Sequence, residues 1–380
     1  MRKAFRAITD YLKKADMLLL ALCCISTVYG IILIHSATGS NESGNYVAVQ
    51  IASLVIGILL FIVFSIIDIE IIADKWMVLF GFNVIILCLL IPFGVGDSLG
   101  NKSWLRFGGI GIQPAEVVKV TFTIIMARHI YHLREYKNLN SPFSVFQLTV
   151  HFVFMFGLIM LISRDLGSAL VYLFIFIVVM YAGGIKLRWF ALGGVLMGGV
   201  IPLAWKFIFS ENQKGRILAP YVASIDPTAI STRWQSYRSK VAIASGQLTG
   251  QGLGAGKMTQ SGSIPEQHTD FIFSVAGEEL GLIGCLVIVA LLALIIIRCI
   301  YVGSKARNQL SSLFCMGIAA MLIVQTLINI GMCLELTPVI GVTLPFFSYG
   351  GSSIITLFAA MGIVSGIKMR TASPWKRHIG

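Results

Sequence analysis

Ten apolar runs of about 20 residues dominate this sequence, near 16–36, 45–67, 76–92, 114–133, 143–162, 166–183, 188–209, 270–300, 310–334 and 350–367. A helix rises about 1.5 Å per residue, so each run matches the roughly 30 Å of hydrocarbon in a bilayer. The alternating pattern of an outer-membrane barrel is absent. With 57% hydrophobic and 12% charged residues, the 380 residues hold more apolar surface than one water-soluble core can hide. The expected fold is therefore an all-α polytopic membrane protein of about ten transmembrane helices in a single domain, residues 1–380. The first run follows Arg2, Lys3, Arg6, Lys13 and Lys14 but has many similar successors, so it reads as an uncleaved helix rather than a signal peptide.

Basic residues recur in every second loop: Lys75; Arg128, Arg134 and Lys137; Lys186 and Arg188; Arg298, Lys305 and Arg307; then Lys368, Arg370, Lys376 and Arg377. The positive-inside rule puts those loops and both termini in the cytoplasm. Two long segments then lie outside, about 93–114 and 210–269. The first contains Gly94, Gly96, Gly100, Gly108, Gly109 and Gly111 and reads as a turn-rich hairpin; the second has room for short helices of its own. That second loop carries Lys214, Arg216, Arg233, Arg238, Lys240 and Lys257 against Glu211, Asp226 and Glu266. Either it solvates itself, as long loops can, or it faces an anion; Lys102, Arg106 and Arg164 on the same face favour the anion. The seven cysteines fall in the spans or at their edges without zinc spacing, as packing residues do. Membrane lipids are expected partners, and nucleic acid is not.

Ionisable groups inside hydrocarbon need a partner or a wet cavity. Glu116 and Lys119 open the fourth run, Asp165 opens the sixth, and Glu278 and Glu279 lie about 12 Å along the eighth from Asp270. A shared cavity is the expectation. Simpler readings stand beside it: Glu116 as a first-turn acid after Pro114, Lys119 as a snorkelling chain, and Thr269 or Asp270 as the N-cap of the helix from Phe271. His268 and Glu266 accompany Asp270. One carboxylate beside a cationic surface suits attack by a sugar hydroxyl on an anomeric carbon bearing a phosphate ester. The hydroxyl needs a base, whereas a departing pyrophosphate needs positive charge and no proton.

The stretch Ile264-Pro-Glu-Gln-His-Thr-Asp-Phe-Ile-Phe-Ser-Val275, with Gly277-Glu-Glu-Leu-Gly281, resembles the signature of the SEDS family (shape, elongation, division and sporulation). So do Asn101-Lys-Ser-Trp-Leu-Arg-Phe-Gly108, Gln113-Pro-Ala-Glu-Val-Val-Lys119, Arg164-Asp-Leu-Gly-Ser-Ala-Leu170, Gln235-Ser-Tyr-Arg-Ser-Lys-Val-Ala-Ile243 and Leu344-Pro-Phe-Phe-Ser-Tyr-Gly-Gly-Ser-Ser353, in the family order. The resemblance covers nearly the whole chain. It implies a ten-helix peptidoglycan glycosyltransferase that polymerises lipid II at the outer face of the bacterial plasma membrane. Asp270 would be the catalytic residue, activating the acceptor 4-hydroxyl, and Lys119, Glu116 and Asp165 would line the cavity. Lys102, Trp104, Arg106, Gln235, Lys240, Glu266, His268 and Ser348 become candidates for holding substrate.

The resemblance also implies a divalent cation, magnesium or manganese, for which no spacing here defines ligands. The implied partner is a class B penicillin-binding protein, a transpeptidase, with the elongation or division machinery; its docking surface is expected on the apolar faces of the eighth and ninth helices. Gln267, Thr259-Gln260 and Asn329-Ile-Gly-Met332 lean towards the elongation branch. Ser163-Arg164 replaces a common Gln-Pro, and Ser103 a common basic residue, so Arg164 and Lys102 are expected to supply the charge. A lipid II flippase using the same charges and a membrane scaffold whose charges merely cap helices remain the rival functions.

Overall fold

Apolar runs of this length have one way to satisfy their backbone in lipid, and the expected helices form. The structure, a computed structural model, describes residues 9–96, 102–107, 110–207, 211–222, 225–226 and 233–371. The long helices are α1 (Met17–Gly39), α2 (Gly44–Ile66), α3 (Trp76–Phe93), α4 (Pro114–Tyr136), α5 (Pro142–Ser163), α6 (Leu166–Gly183), α7 (Leu187–Phe207), α8 (Ile272–Ser304), α9 (Gln309–Cys333) and α10 (Gly351–Thr371). Among the described residues nine of these are long and apolar enough to cross a membrane. The other, α4, carries Glu116, Lys119 and Arg128 and keeps most of its side chains buried inside the bundle.

Local chemistry sets the ends. Gly39, at φ 67°, divides α1 from α2. Ser141 caps α5 ahead of Pro142, and Asn308 caps α9. The last turn of α5, Ile159–Ser163, widens to a π-turn before Arg164 takes the left-handed conformation. Helices approach closely where side chains are small: a Cβ on Gly362 of α10 would fall 2.5 Å from the Phe61 carbonyl oxygen of α2.

At the end of the bundle holding the long loop, the glycine-rich segment forms a three-stranded antiparallel meander, β1 (Gly94–Gly96), β2 (Lys102–Phe107) and β3 (Ile110–Ile112). Val95 pairs with Trp104, and Arg106 with Gly111. The long loop supplies short helices at Glu211–Leu218, Trp234–Ser245 and Lys257–Gln260.

One expectation fails at α8, which is not continuous. Gly281 sits at φ 66°, ψ −163°, a region essentially reserved for glycine. Its neighbours exchange helical hydrogen bonds for bonds to the loop: Gln251 N donates to Glu278 O (2.9 Å), Gly252 N to Glu279 O (3.0 Å), Leu282 N to Gln247 O (2.8 Å) and Ile283 N to Leu248 O (3.2 Å). Residues 282–304 alone reach about 34 Å, enough to cross the bilayer.

Glu278 and Glu279 therefore precede the crossing segment, and they do not share a cavity with the other acids. The Glu278 carboxylate accepts from Met258 N (2.8 Å), Thr259 N (2.8 Å) and Thr259 Oγ1 (2.7 Å). Glu279 accepts from Ser36 Oγ (2.6 Å) and Gln260 Nε2 (3.0 Å). Both are fully buried and fasten the loop to the bundle.

Candidate active site

The turn at residues 265–271 reverses on Glu266, whose φ is 50° and whose carbonyl accepts from Thr269 N (3.1 Å) and Phe271 N (3.2 Å). Its exposed carboxylate accepts from Thr269 Oγ1 (3.1 Å). The N-cap of α8 is Phe271, with no side-chain hydrogen bond at that position, so the expected capping by Thr269 or Asp270 is replaced by this turn.

Three successive carbonyls of the turn are each held from the segment that ends α9 and leads to α10. His268 O accepts from Tyr349 N (2.9 Å), Thr269 O from Ser348 Oγ (2.6 Å) and Asp270 O from Asn329 Nδ2 (2.8 Å). Asn329 also donates to Val342 O (2.7 Å), and Ser348 Oγ accepts from Leu344 N (2.8 Å). The backbone of Asp270 is thus fixed while its side chain stays half-buried, beside the buried run Phe271–Val275. Gly341, at φ 69°, faces the carboxylate: a Cβ there would lie 3.7 Å from Asp270 Oδ2.

A second polar cluster joins α4, α6 and α10. Lys119 Nζ meets Glu116 Oε1 at 2.5 Å, and Ser353 Oγ donates to Glu116 Oε2 (3.4 Å). Lys119 is 1% exposed, so it does not snorkel. Asp165 caps α6 through Ser168 N (2.9 Å), accepts from Ser168 Oγ (2.7 Å), and is reached by Gln113 Nε2 (3.3 Å). Gly167, two residues on, lies against Ile340 and Val342, which flank Gly341. The 340–342 turn is thus a wall common to this cluster and to Asp270.

Strand β2 adds charge. Side chains alternate across a strand, and here Ser103 and Leu105 are buried while Lys102, Trp104 and Arg106 share the open face, with Trp104 against Gly111. The rings of Tyr46, His268 and Tyr349 cluster, with centroids 4.9 to 5.7 Å apart. Burial raises the Tyr349 hydroxyl above the usual tyrosine range, Tyr46 adds to this, and Arg106 of β2 opposes it.

On the helix Trp234–Ser245, Gln235 is half-buried, and Lys240 is paired with Glu335 Oε2 (3.3 Å), while Arg233 binds Glu335 Oε1 (2.5 Å). Through Arg233 and Lys240 this helix anchors the long loop to the end of α9. The sequence reading missed Asn329, Glu335 and Gly341 as site residues. Asn329 carried a usable signal, a polar amide within an apolar run. Among the described residues no three His, Cys, Asp or Glu side chains gather to hold a metal ion.

A helical bundle with a half-buried acid fixed at one end, beside a cationic sheet face and above a buried ion pair, defines a polytopic membrane protein with a polar, anion-compatible site. The family described as Cell cycle protein, uniting FtsW, RodA and SpoVE, matches residues 16–373. The chain belongs to this family, the SEDS proteins. The peptidoglycan glycosyltransferase MrdB of Escherichia coli K12 is 31% identical over 92% of each chain. A probable peptidoglycan glycosyltransferase FtsW of Geobacter metallireducens is 30% identical, covering 97% of this chain and 99% of that one. A chain from a study of the structural coordination of polymerization and crosslinking by a peptidoglycan synthase complex superposes with a TM-score of 0.80 at 25% identity, covering 94% of this chain and 99% of that one. The rod shape determining protein RodA of Thermus thermophilus shares the fold, with a TM-score of 0.69 at 24% identity over 94% of this chain and 98% of its own.

Proposed function

We propose that this protein polymerises lipid II into glycan strands at the outer face of the plasma membrane, serving cell elongation, with Asp270 as general base. The observation that carries the reading is the triple anchoring of His268, Thr269 and Asp270 by their carbonyls, which fixes a carboxylate at the boundary between packed protein and open space. The Asp270 carboxylate takes the proton of the acceptor 4-hydroxyl as its oxygen bonds to the donor anomeric carbon. The bond from that carbon to the phosphate oxygen breaks, and the polyprenyl pyrophosphate leaves with the electron pair. Lys102 and Arg106 face the departing charge, Trp104 offers a sugar a flat apolar surface, and the Glu116–Lys119 pair lines the interior beside Asp165.

A magnesium or manganese ion would bring further charge to the pyrophosphate. Among the described residues no three His, Cys, Asp or Glu side chains gather for it, so it would be held by substrate phosphates, water and at most one or two carboxylates.

The basic loops place both termini in the cytoplasm under this reading. An apolar groove of about 270 Å³, lined by Phe174 and Val178 of α6, Ile300 of α8, and Met316, Ile323 and Leu327 of α9, would receive the membrane helix of a class B transpeptidase. The resemblance to a chain of a synthase complex supports such a partner.

The test is glycan formation by purified protein and lipid II in detergent, with the transpeptidase partner present. Glycan strands are expected. Their absence from folded complex would favour a lipid II transporter, which has no work to do without a second leaflet.

A further inference from the structure

At the end of the bundle opposite the long loop, several acids are matched by polar partners. Arg370 pairs with Asp68 (3.0 Å), Arg128 with Asp74 (3.3 Å), and Asn308 binds Glu70. One place gathers positive charge around a buried acid. Asp16, the buried N-cap of α1, accepts from Arg298 Nε (2.8 Å) and Nη2 (3.1 Å), and Lys368 Nζ lies 3.6 Å away. Lys368 also donates to Ala15 O (3.2 Å). Lys305, exposed at the end of α8, forms no ion pair among the described residues. Arg298 and Lys368 thus share a single carboxylate, and Lys305 lines the same pocket beside them.

Arg298, Tyr301, Lys305, Lys368 and Thr371 line an open cleft of about 310 Å³ there. At roughly 30 Å³ per water, it has the volume of about ten waters, room for a phosphate and its polar substituent. Arg298 turns two of its N–H groups towards Asp16, which leaves three of the five in a guanidinium for another acceptor. Asp16 holds that fork and the Lys368 ammonium in place before any ligand arrives.

What the cavity adjoins identifies the ligand. On α8, Leu294, Ile297, Tyr301 and Lys305 follow at i, i+3, i+7 and i+11, one continuous stripe on the helix surface. Leu294, Ile297 and Tyr301 are each half or more exposed, at 50%, 60% and 51%. The stripe runs from aliphatic through aromatic to cationic, the order in which a phospholipid presents acyl chain, interface and phosphate.

We propose that the pocket of Arg298, Tyr301, Lys305, Lys368 and Thr371 binds the headgroup phosphate of an anionic membrane phospholipid, with an acyl chain along Leu294 and Ile297. Under the orientation given above, the lipid belongs to the cytoplasmic leaflet. The site lies at the opposite end from Asp270 and does not depend on the catalytic reading.

The experiment is native mass spectrometry of the full-length protein in detergent, titrated with phosphatidylglycerol, cardiolipin or phosphatidylcholine. Retention of the two anionic lipids over phosphatidylcholine is expected. Lys305→Gln should weaken phosphatidylglycerol binding about fivefold, the equivalent of about 1 kcal/mol per cation, and Lys305→Gln with Lys368→Gln about 25-fold. Equal retention of all three lipids, unchanged binding by Lys305→Gln, or displacement of the lipid by inorganic phosphate at a comparable concentration would each overturn the proposal. Should loss of Lys368 unsettle the Asp16 cluster, Lys305→Gln alone still decides, because Lys305 has no acidic partner among the described residues to release.

Discussion

Asn329→Leu tests how Asp270 is held. Leucine matches asparagine roughly in size but offers no donor, so Asp270 O and Val342 O lose bonds of 2.8 and 2.7 Å from a fully buried side chain. The Cys333 thiol, 3.8 Å from Asp270 O, is a weak substitute. A buried carbonyl stripped of its donor costs roughly 1–3 kcal/mol, and two together about 2–4 kcal/mol if the loop relaxes in part. If that free energy falls on the arrangement of the carboxylate, a tenfold rate change per roughly 1.4 kcal/mol predicts a kcat lower by about 30- to 900-fold. The assay is steady-state polymerisation with lipid II, alongside thermal unfolding of the same preparation. Because Lys102 and Arg106 are untouched, KM should change little while kcat falls. A variant that keeps its kcat and merely melts earlier would show that Asn329 braces the fold without positioning the acid, and the reasoning would fail.

Gly281→Ala should lower the melting temperature and open the loop to proteases, since the new Cβ would stand 2.4 Å from Gly250 N at a backbone conformation costing about 1–3 kcal/mol for other residues; an unchanged proteolytic pattern would contradict the break in α8. Glu278→Gln removes the charge that receives two backbone amides and a hydroxyl, so stability should drop by about 1–3 kcal/mol in thermal or denaturant unfolding while the folded fraction keeps its kcat. A loss of kcat at full stability would return Glu278 to the chemistry. Lys102→Gln and Arg106→Gln should each raise KM several-fold and flatten its dependence on ionic strength, measured between low and physiological salt. An unaltered salt dependence would remove β2 from the site.

Runs of 20 apolar residues leave little freedom, which is why α1 to α10 are readable from the chain with small shifts at their ends. The break at Gly281 is not readable in that way, because the apolar run continues across it. The conformation is decided by Gln247, Leu248, Gln251 and Gly252, which bring their backbone to the gap from 30 or so residues earlier. The same oversight put Glu278 and Glu279 in the cavity. Their place about 12 Å along the helix from Asp270 suggested a shared cavity, but their carboxylates are taken up by Met258, Thr259, Gln260 and Ser36, contacts that no local pattern announces. Asp270 itself stands out through its motif, whereas its anchors arrive from Asn329, Ser348 and Tyr349, separated from it by 59 residues or more, where no local pattern reports a contact. Lys119 shows the limit from another side: an ammonium near a helix start can snorkel or be buried, and only the position of Glu116 beneath its Nζ decides.

Asp270→Asn addresses the proposed chemistry most directly, since the amide keeps the shape of the side chain and leaves the backbone anchors in place while abolishing the base. Polymerisation of lipid II by this variant, assayed with the transpeptidase partner at neutral pH, should fall at least about 100-fold, the lower range for a positioned general base, with lipid II binding and thermal stability kept. Glycan chains made by the variant at the rate of the unaltered protein would contradict the assignment of Asp270 and the reaction built upon it.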